Sequence, residues 1–277
     1  MIKRIYLEIT NSCNLNCHFC EAVKHHDFIA LEDIKKLLIQ IKEITNYVYL
    51  HILGEPLLHP MFDAILSFCD ELNLNIQLVS NGTLLSKYPN ILDHKSLRKL
   101  SISIHSIDNI CIDATYFDTI NNLIEIIQNK QDQYLELRFY DYQNLHQNAK
   151  KYHDYLSQKY TFNETKKQNS YYIAKNVFVF YQNLFHWPNI NDPIISEEGI
   201  CHGALEMLGI LANKDVVICC LDPSGHTKIG NLNNDTLKEV LNSDKYIEIV
   251  ENMKKSRLTN PLCQRCTYRL RFDKAYK

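Results

Sequence analysis

Strand-like and helix-like segments alternate through the first two-thirds of this 277-residue chain, and that alternation narrows the fold more than any other feature. From Ile2 to Ile9 apolar and polar side chains alternate, the period of a strand. Leu31, Ile34, Leu37, Leu38, Ile41 and Ile44 recur at helical spacing and predict an amphipathic helix over 31–45. A β-branched and aromatic run at 47–53 predicts a second strand, ending at Gly54. A helix at 61–72 follows, then a strand at 76–80 closed by the turn signal Asn81-Gly82. Strands at 99–105, 134–140 and 176–181 and helices at 117–128 and 145–159 complete the pattern. Strands separated by helices predict parallel β/α units, with ligands at the carboxyl ends of the strands. Periodicity leaves an open sheet and a barrel equally possible.

Residues 161–170 are polar and aperiodic and predict a loop, and 184–199, with Trp187, Pro188 and Pro193, predicts a bridge. Beyond Cys201 the pattern changes. Residues 208–212 and 215–219 flank Asn213-Lys214, a hairpin signal, and 236–254 predicts a helix with Thr236 or Asp235 as N-cap.

A net charge of −2 gives no whole-chain footprint for nucleic acid. The basic residues Lys254, Lys255, Arg265, Arg269 and Arg271 near the C-terminus are expected to form a solvated face. No apolar run spans a bilayer, and the N-terminus lacks the pattern of a signal peptide, so the expected compartment is the cytoplasm. There, ten cysteines favour metal binding over disulfides.

Three of those cysteines form Cys13-Asn-Leu-Asn-Cys17-His-Phe-Cys20, a C-x3-C-x2-C loop directly after the first strand. Thiolates on a short loop can close around an iron–sulfur cluster. Three ligands for a four-iron cluster would leave one iron open to chemistry; a zinc knuckle is the competing reading.

The loop, with Phe19 before its last cysteine, resembles the radical S-adenosylmethionine (SAM) superfamily. The resemblance implies a partial (β/α)6 TIM-like barrel and a [4Fe–4S] cluster on Cys13, Cys17 and Cys20. SAM would be chelated to the open iron and cleaved to a 5′-deoxyadenosyl radical that abstracts hydrogen from substrate. Gly54-Glu55-Pro56 resembles the family's Gly-Gly-Glu-Pro motif, with Leu53 in place of the first glycine, and implies contacts from Gly54 and Glu55 to the SAM amino group. Phe19, Ser80, Asn81, Ser103 and Arg138 are further candidate SAM contacts. Ser101 and Ser103 share one strand face, and Arg138, the one cation on the fifth strand, needs a partner. His51, His59 and His105 are expected to pack or hydrogen-bond rather than ligate.

A second group comprises Cys201, the pair Cys219-Cys220, and Cys263-Gln-Arg-Cys266. With 216–222, 229–232 and 237–243 it resembles the Twitch/SPASM extension of radical SAM enzymes, Lys214 standing where relatives usually have glycine. This implies a C-terminal β-hairpin-plus-helix domain holding a second, auxiliary [4Fe–4S] cluster on Cys201, Cys219, Cys263 and Cys266. Cys219 and Cys220 could exchange roles, and a four-cysteine zinc site is the alternative. The expected domains are 1–190 and 191–277. Cys69 and Cys111 are expected to be small buried hydrophobes.

The expected substrate is a ribosomally made peptide, altered by epimerisation, crosslinking or oxidation. The alternatives are a small-molecule alcohol or sugar undergoing dehydrogenation and, third, tRNA. An electron donor such as flavodoxin or ferredoxin is implied. The chain begins at its first strand, so a separate leader-binding protein is expected for a peptide substrate. Cys220, if free, could return a hydrogen atom to a substrate radical.

Overall fold

The computed structural model describes residues 2–21, 27–108, 110–112, 115–145, 147–184 and 186–272. In chain order the first elements are β1 (Arg4–Leu7), α1 (Leu31–Lys42), β2 (Tyr47–Tyr49), α2 (Phe62–Glu71), β3 (Asn75–Ser80), β4 (Leu97–Ser103), α3 (Tyr116–Ile127), β5 (Tyr134–Tyr140) and α4 (Gln147–Lys159). Then come β6 (Asn163–Glu164), β7 (Ser170–Ala174), β8 (Val177–Gln182), β9 (Met207–Ile210), β10 (Asp215–Val217), β11 (Lys228–Asn231), α5 (Leu237–Leu241), α6 (Asp244–Lys254) and α7 (Pro261–Arg265). The fold is mixed α/β with a largely parallel sheet that does not close on itself, a partial barrel.

The chain divides into two compact units. One comprises Met1–Ser12, Phe19–Gly54 and Phe185–Lys277; the other comprises Cys13–His18 and Glu55–Leu184. In the first, β1 lies between β2 and β9, parallel to both, and β10 and β11 continue the sheet antiparallel. Ile34, Leu37, Leu38 and Ile41 form the buried stripe of α1, the helical period read from the sequence. In the second, β3, β4, β5 and β8 run parallel, and β7 and β6 follow antiparallel.

Two local expectations are corrected. Part of the predicted loop at 161–170 forms β6, which pairs with β7 in a hairpin that periodicity missed. Asn176 turns the chain between β7 and β8 at φ 65°, a conformation asparagine tolerates. The single helix predicted over 236–254 breaks at Asn242, because the Ser243 side chain accepts the Tyr246 N–H and starts α6 anew. The Lys214 that replaces a glycine sits at φ 67°, the left-handed region that disfavours side chains. Its ammonium lies 2.6 Å from the Asp33 carboxylate on α1, an interaction a glycine there would lack.

Candidate functional site

In the second unit, the cysteine loop is anchored by the turn that closes β3. The Asn81 amide donates to Asn14 Oδ1 at 2.9 Å and lies 3.9 Å from Cys13 Sγ. Asn14 in turn donates to Thr83 Oγ1 at 2.8 Å. The Leu15 N–H also points at Cys13 Sγ, at 3.4 Å. Two donors therefore converge on one sulfur, an environment that steadies a metal-bound thiolate. With no metal, burial pushes the Cys13 thiol up from its ordinary range. Cys17 Sγ lies 3.8 Å from the Ser106 carbonyl.

Beneath this turn is Glu55, only 1% exposed. One carboxylate oxygen accepts the Asn81 N–H at 2.7 Å, the other the Leu57 N–H at 3.1 Å. Burial nevertheless pushes its pKa up to about 7. The Ser80 hydroxyl accepts the Gly82 N–H, and Tyr116 donates to the Asn81 carbonyl at 2.9 Å. Glu55, Ser80 and Asn81 are thus joined in one network that fixes the loop. A cavity of about 370 Å³ opens beside it, lined by Asn14, Leu15, Thr83, Cys111 and Tyr116 among others. Cys111 is exposed, correcting its expected burial, whereas Cys69 is buried as expected.

Ser103 and Arg138 are register partners on β4 and β5. The Arg138 guanidinium stacks over Tyr140 at 4.7 Å, so an aromatic face is one partner of the charge. His105 also stacks on Tyr140, and its buried ring is held neutral at pKa about 3. His59 accepts the Met61 N–H and His51 packs against Tyr6, the structural roles expected of them.

In the first unit, Gly54 has φ 76°, and a Cβ there would overlap the Thr10 carbonyl oxygen and lie 2.9 Å from Asn11 backbone. The residue the sequence reading overlooked is Glu8, at 3% exposure. It accepts the Leu53 N–H at 2.9 Å and the Ala212 N–H at 3.0 Å, tying the Gly54 turn to the end of β9. The signal was an acidic residue among the buried aliphatic residues at the end of β1. Phe19 accepts a 3.1 Å hydrogen bond from Trp187 at its carbonyl, and Cys20 is exposed.

Cys201, Cys219, Cys263 and Cys266 line one apolar cavity of this unit. Asn260 caps α7, and Pro261 opens it, so Cys263 and Cys266 fall at fixed places on a single turn. Main-chain N–H groups donate to three of the sulfurs: Gly203 to Cys201 at 3.4 Å, Leu221 to Cys219 at 3.3 Å, and Arg269 and Tyr268 to Cys266. Burial, and then the neighbouring Cys219, push Cys201 up to about 12. Burial and all three of its companions raise Cys263. Four half-buried cysteines around one space are a donor set suited to a cationic metal centre, which would offset the charge of their thiolates. Among the described residues no three Cys, His, Asp or Glu side chains are gathered tightly enough to hold a single ion, so the sulfurs line a space rather than meet at a point.

Cys220 is absent from that lining. It lies 3.9 Å from Met207 Sδ, and hydrogen bonds with Cys219 and Tyr6 hold its thiol below the ordinary range against the effect of burial. Arg269, expected on a solvated face, is buried at 2% exposure beside the four cysteines.

A partial barrel with a cysteine loop and a second four-cysteine pocket defines a class of iron–sulfur enzyme. The Radical SAM superfamily model matches residues 7–137, and the SPASM iron–sulfur cluster-binding domain model matches residues 201–267. The chain belongs to the radical SAM superfamily and carries a SPASM/Twitch-type C-terminal extension. Its cofactors are accordingly a [4Fe–4S] cluster with SAM and an auxiliary iron–sulfur cluster.

Similar proteins include GTP 3′,8-cyclase of Peptoclostridium acidaminophilum, 30% identical over 116 residues, which are 39% of this chain and 35% of that protein. GTP 3′,8-cyclase of Staphylococcus carnosus (strain TM300) is 29% identical over 133 residues, 44% of this chain and 38% of that protein. These matches span little more than a third of the curated relatives' length. Among solved structures, BtrN in complex with AdoMet and 2-DOIA superposes with TM-score 0.63 at 17% identity, covering 96% of this chain and 93% of that one. Streptococcus suis SuiB bound to precursor peptide SuiA gives 0.60 at 16%, covering 99% and 74%. The enzyme anSMEcpe with bound AdoMet and Cp18Cys peptide gives 0.60 at 13%, covering 97% and 87%. At these identities the likeness establishes the fold. No helix among the described residues is long and apolar enough to cross a membrane.

Proposed function

We propose that this enzyme abstracts a hydrogen atom from a ribosomally made peptide, with Cys13, Cys17 and Cys20 as ligands of the SAM-binding cluster and Cys201, Cys219, Cys263 and Cys266 as ligands of the auxiliary one. When bound, the first cluster and SAM supply a 5′-deoxyadenosyl radical. The residues of the chain hold that chemistry in place. Asn81 and the Leu15 N–H orient Cys13 and favour its thiolate. Glu55, through Asn81, holds the loop to the carboxyl end of β3. Ser80, Ser103 and Arg138 would offer hydroxyl and guanidinium groups to SAM from the second unit, and Gly54 and Phe19 are the candidate SAM contacts of the first. The radical SAM region would run over 1–190 and the auxiliary-cluster region over 191–277.

The observation that carries this reading is the second cavity. Four thiols around one space, three of them receiving main-chain N–H groups, suit a cluster better than zinc, whose four sulfurs meet at about 2.3 Å from one ion. The peptide assignment draws on SuiB and anSMEcpe, both solved with peptides bound. A small-molecule dehydrogenase is the second reading, favoured by BtrN, which was solved with 2-DOIA. A low-potential donor such as flavodoxin or ferredoxin would supply the electron, and a leader-binding protein could present the peptide. In an epimerisation, Cys220 would give its S–H hydrogen to the substrate carbon radical, leaving a thiyl that one electron from the donor and one proton from solvent return to the thiol.

The test is anaerobic reconstitution followed by SAM, dithionite and candidate substrates, with chromatography for 5′-deoxyadenosine and mass spectrometry of the substrate. Cys13→Ala, Cys17→Ala or Cys20→Ala abolishes 5′-deoxyadenosine, while Cys263→Ala or Cys266→Ala spares it and stops turnover. A reduced, iron-loaded protein that leaves SAM intact refutes the assignment. Loss of two hydrogens from an alcohol, with peptides unchanged, selects the second reading.

A further inference from the structure

Alternation along β5 gives its sheet two unlike faces. Leu135, Leu137 and Phe139 are fully buried, while Glu136, Arg138 and Tyr140 point the other way. Register sets Ser101 of β4 and Phe178 of β8 beside Glu136, and Ser103 and Phe180 beside Arg138. The polar face therefore crosses β4, β5 and β8, within one compact unit.

Two ammonium groups meet on that face at one carboxylate oxygen. Lys99 of β4 lies 2.6 Å from Glu136 Oε2, and Lys167, from the turn between β6 and β7, lies 3.7 Å from the same atom. The Ser101 hydroxyl donates to the other oxygen at 3.2 Å. Burial alone would raise the pKa of Glu136, but Lys99, Lys167 and Arg138 hold it below the ordinary carboxylate range. Lys167 is set by its turn: its N–H donates to the Thr165 hydroxyl at 3.2 Å, and its carbonyl accepts the Ser170 N–H at 3.2 Å. Its ammonium sits 3.8 Å from the centroid of the Phe180 ring. Desolvation and the repulsion of Lys99 and Arg138 outweigh Glu136 and hold Lys167 below its ordinary pKa. Both lysines stay open to solvent, with side chains 26% and 58% exposed against 9% for Glu136. Two accessible cations that share one carboxylate leave a positive charge that a second carboxylate would balance.

We propose that Lys99 and Lys167 hold a carboxylate of the substrate. The inference deepens the peptide reading and rests on it: the ligand is an acidic side chain or the C-terminal carboxylate of the peptide. Lysine on carboxylate is the pairing already formed there by Glu136, which gathers the two ammonium groups at one point. Glu136 lies two residues before Arg138, about 7 Å along the strand. A carboxylate anchored there leads the adjoining peptide toward Ser103 and Arg138, the candidate SAM contacts on the same face.

The experiment uses full-length, cluster-loaded protein with SAM under anaerobic conditions and three fluorescent pentapeptides. One has a central Glu and both ends blocked, one a central Gln and both ends blocked, and one a central Gln and a free C-terminal carboxylate. Anisotropy measures binding, and mass spectrometry after reductive methylation measures how far each peptide protects Lys99 and Lys167. A carboxylate-bearing peptide is expected to bind about tenfold more tightly than the neutral one and to protect both lysines, and which of the two does so identifies the source. Lys167→Gln is expected to remove most of that preference. A neutral peptide that binds as tightly, no measurable binding of any of the three, or a preference unchanged in Lys167→Gln overturns the proposal. Lys99→Gln is expected to act alike; should it fail to fold, Lys167→Gln, at the more exposed position, decides. Inorganic phosphate that displaces the bound peptide at a much lower concentration than acetate overturns the choice of a carboxylate. An alcohol oxidised with every peptide unaltered removes the peptide reading whatever the binding shows, whereas peptide conversion with no carboxylate preference removes this inference alone.

Discussion

Glu55 offers a test of the network beneath the cysteine loop by titration rather than by activity. Its carboxylate is 1% exposed and faces the main-chain N–H groups of Asn81 and Leu57 with no cation among the causes of its shift. Burial outweighs those donors and moves the pKa from 4.5 to about 7. Between those values the folded state binds more protons than the unfolded state, so stability falls as pH rises from 4.5 toward 7 and is level above that. At about 1.36 kcal/mol per tenfold change, the contribution lost between pH 5.5 and pH 8 is about 2 kcal/mol. Glu55→Gln does not titrate. One N–H that the second carboxylate oxygen accepted loses its partner, a cost that is the same at every pH. Relative to the parent protein, the variant should therefore gain about 2 kcal/mol across that range, or roughly 4–8 °C in melting temperature for a chain of this size. Thermal melts of both proteins at closely spaced pH values under anaerobic conditions measure this. A difference that stays constant with pH would mean that the donors keep Glu55 ionised throughout, and the argument from burial would fail.

Two further substitutions probe the framework. Gly54→Ala places a Cβ against the Thr10 carbonyl oxygen at a residue with φ 76°; the left-handed conformation alone costs about 1–2 kcal/mol, and the overlap with backbone cannot be relieved by a rotamer change. A fall in melting temperature of more than about 4 °C is expected, and an unchanged value would refute the close approach of these two turns. Thr236→Ala removes the capping box at the start of α5, in which Thr236 and Glu239 each accept the other's N–H. About 1 kcal/mol should be lost in urea unfolding, with SAM cleavage unaffected.

Much of this architecture was legible because burial imposes a period on the sequence. The buried stripe of α1 and the strand at Tyr134–Tyr140 appear where the pattern of apolar residues put them. What periodicity could not supply was the consequence of polar groups turned inward. Glu8 directly follows β1, among the buried aliphatic residues Ile5, Leu7 and Ile9, and nothing in its spacing says that it accepts N–H groups from residues 45 and 204 positions away. Arg269 was hidden for a related reason. Among Arg265 and Arg271 it has the composition of a solvated face, and the absence of a side chain at Gly199, far away in sequence, leaves room for its buried guanidinium. The same limit applied to Cys219 and Cys220, which are indistinguishable as neighbours in sequence. Successive residues after β10 project differently, so Cys219 joins Cys201, Cys263 and Cys266 while Cys220 meets Tyr6 and Met207. Which residue of the pair lines the cavity is decided by the direction in which the β10 exit turns it.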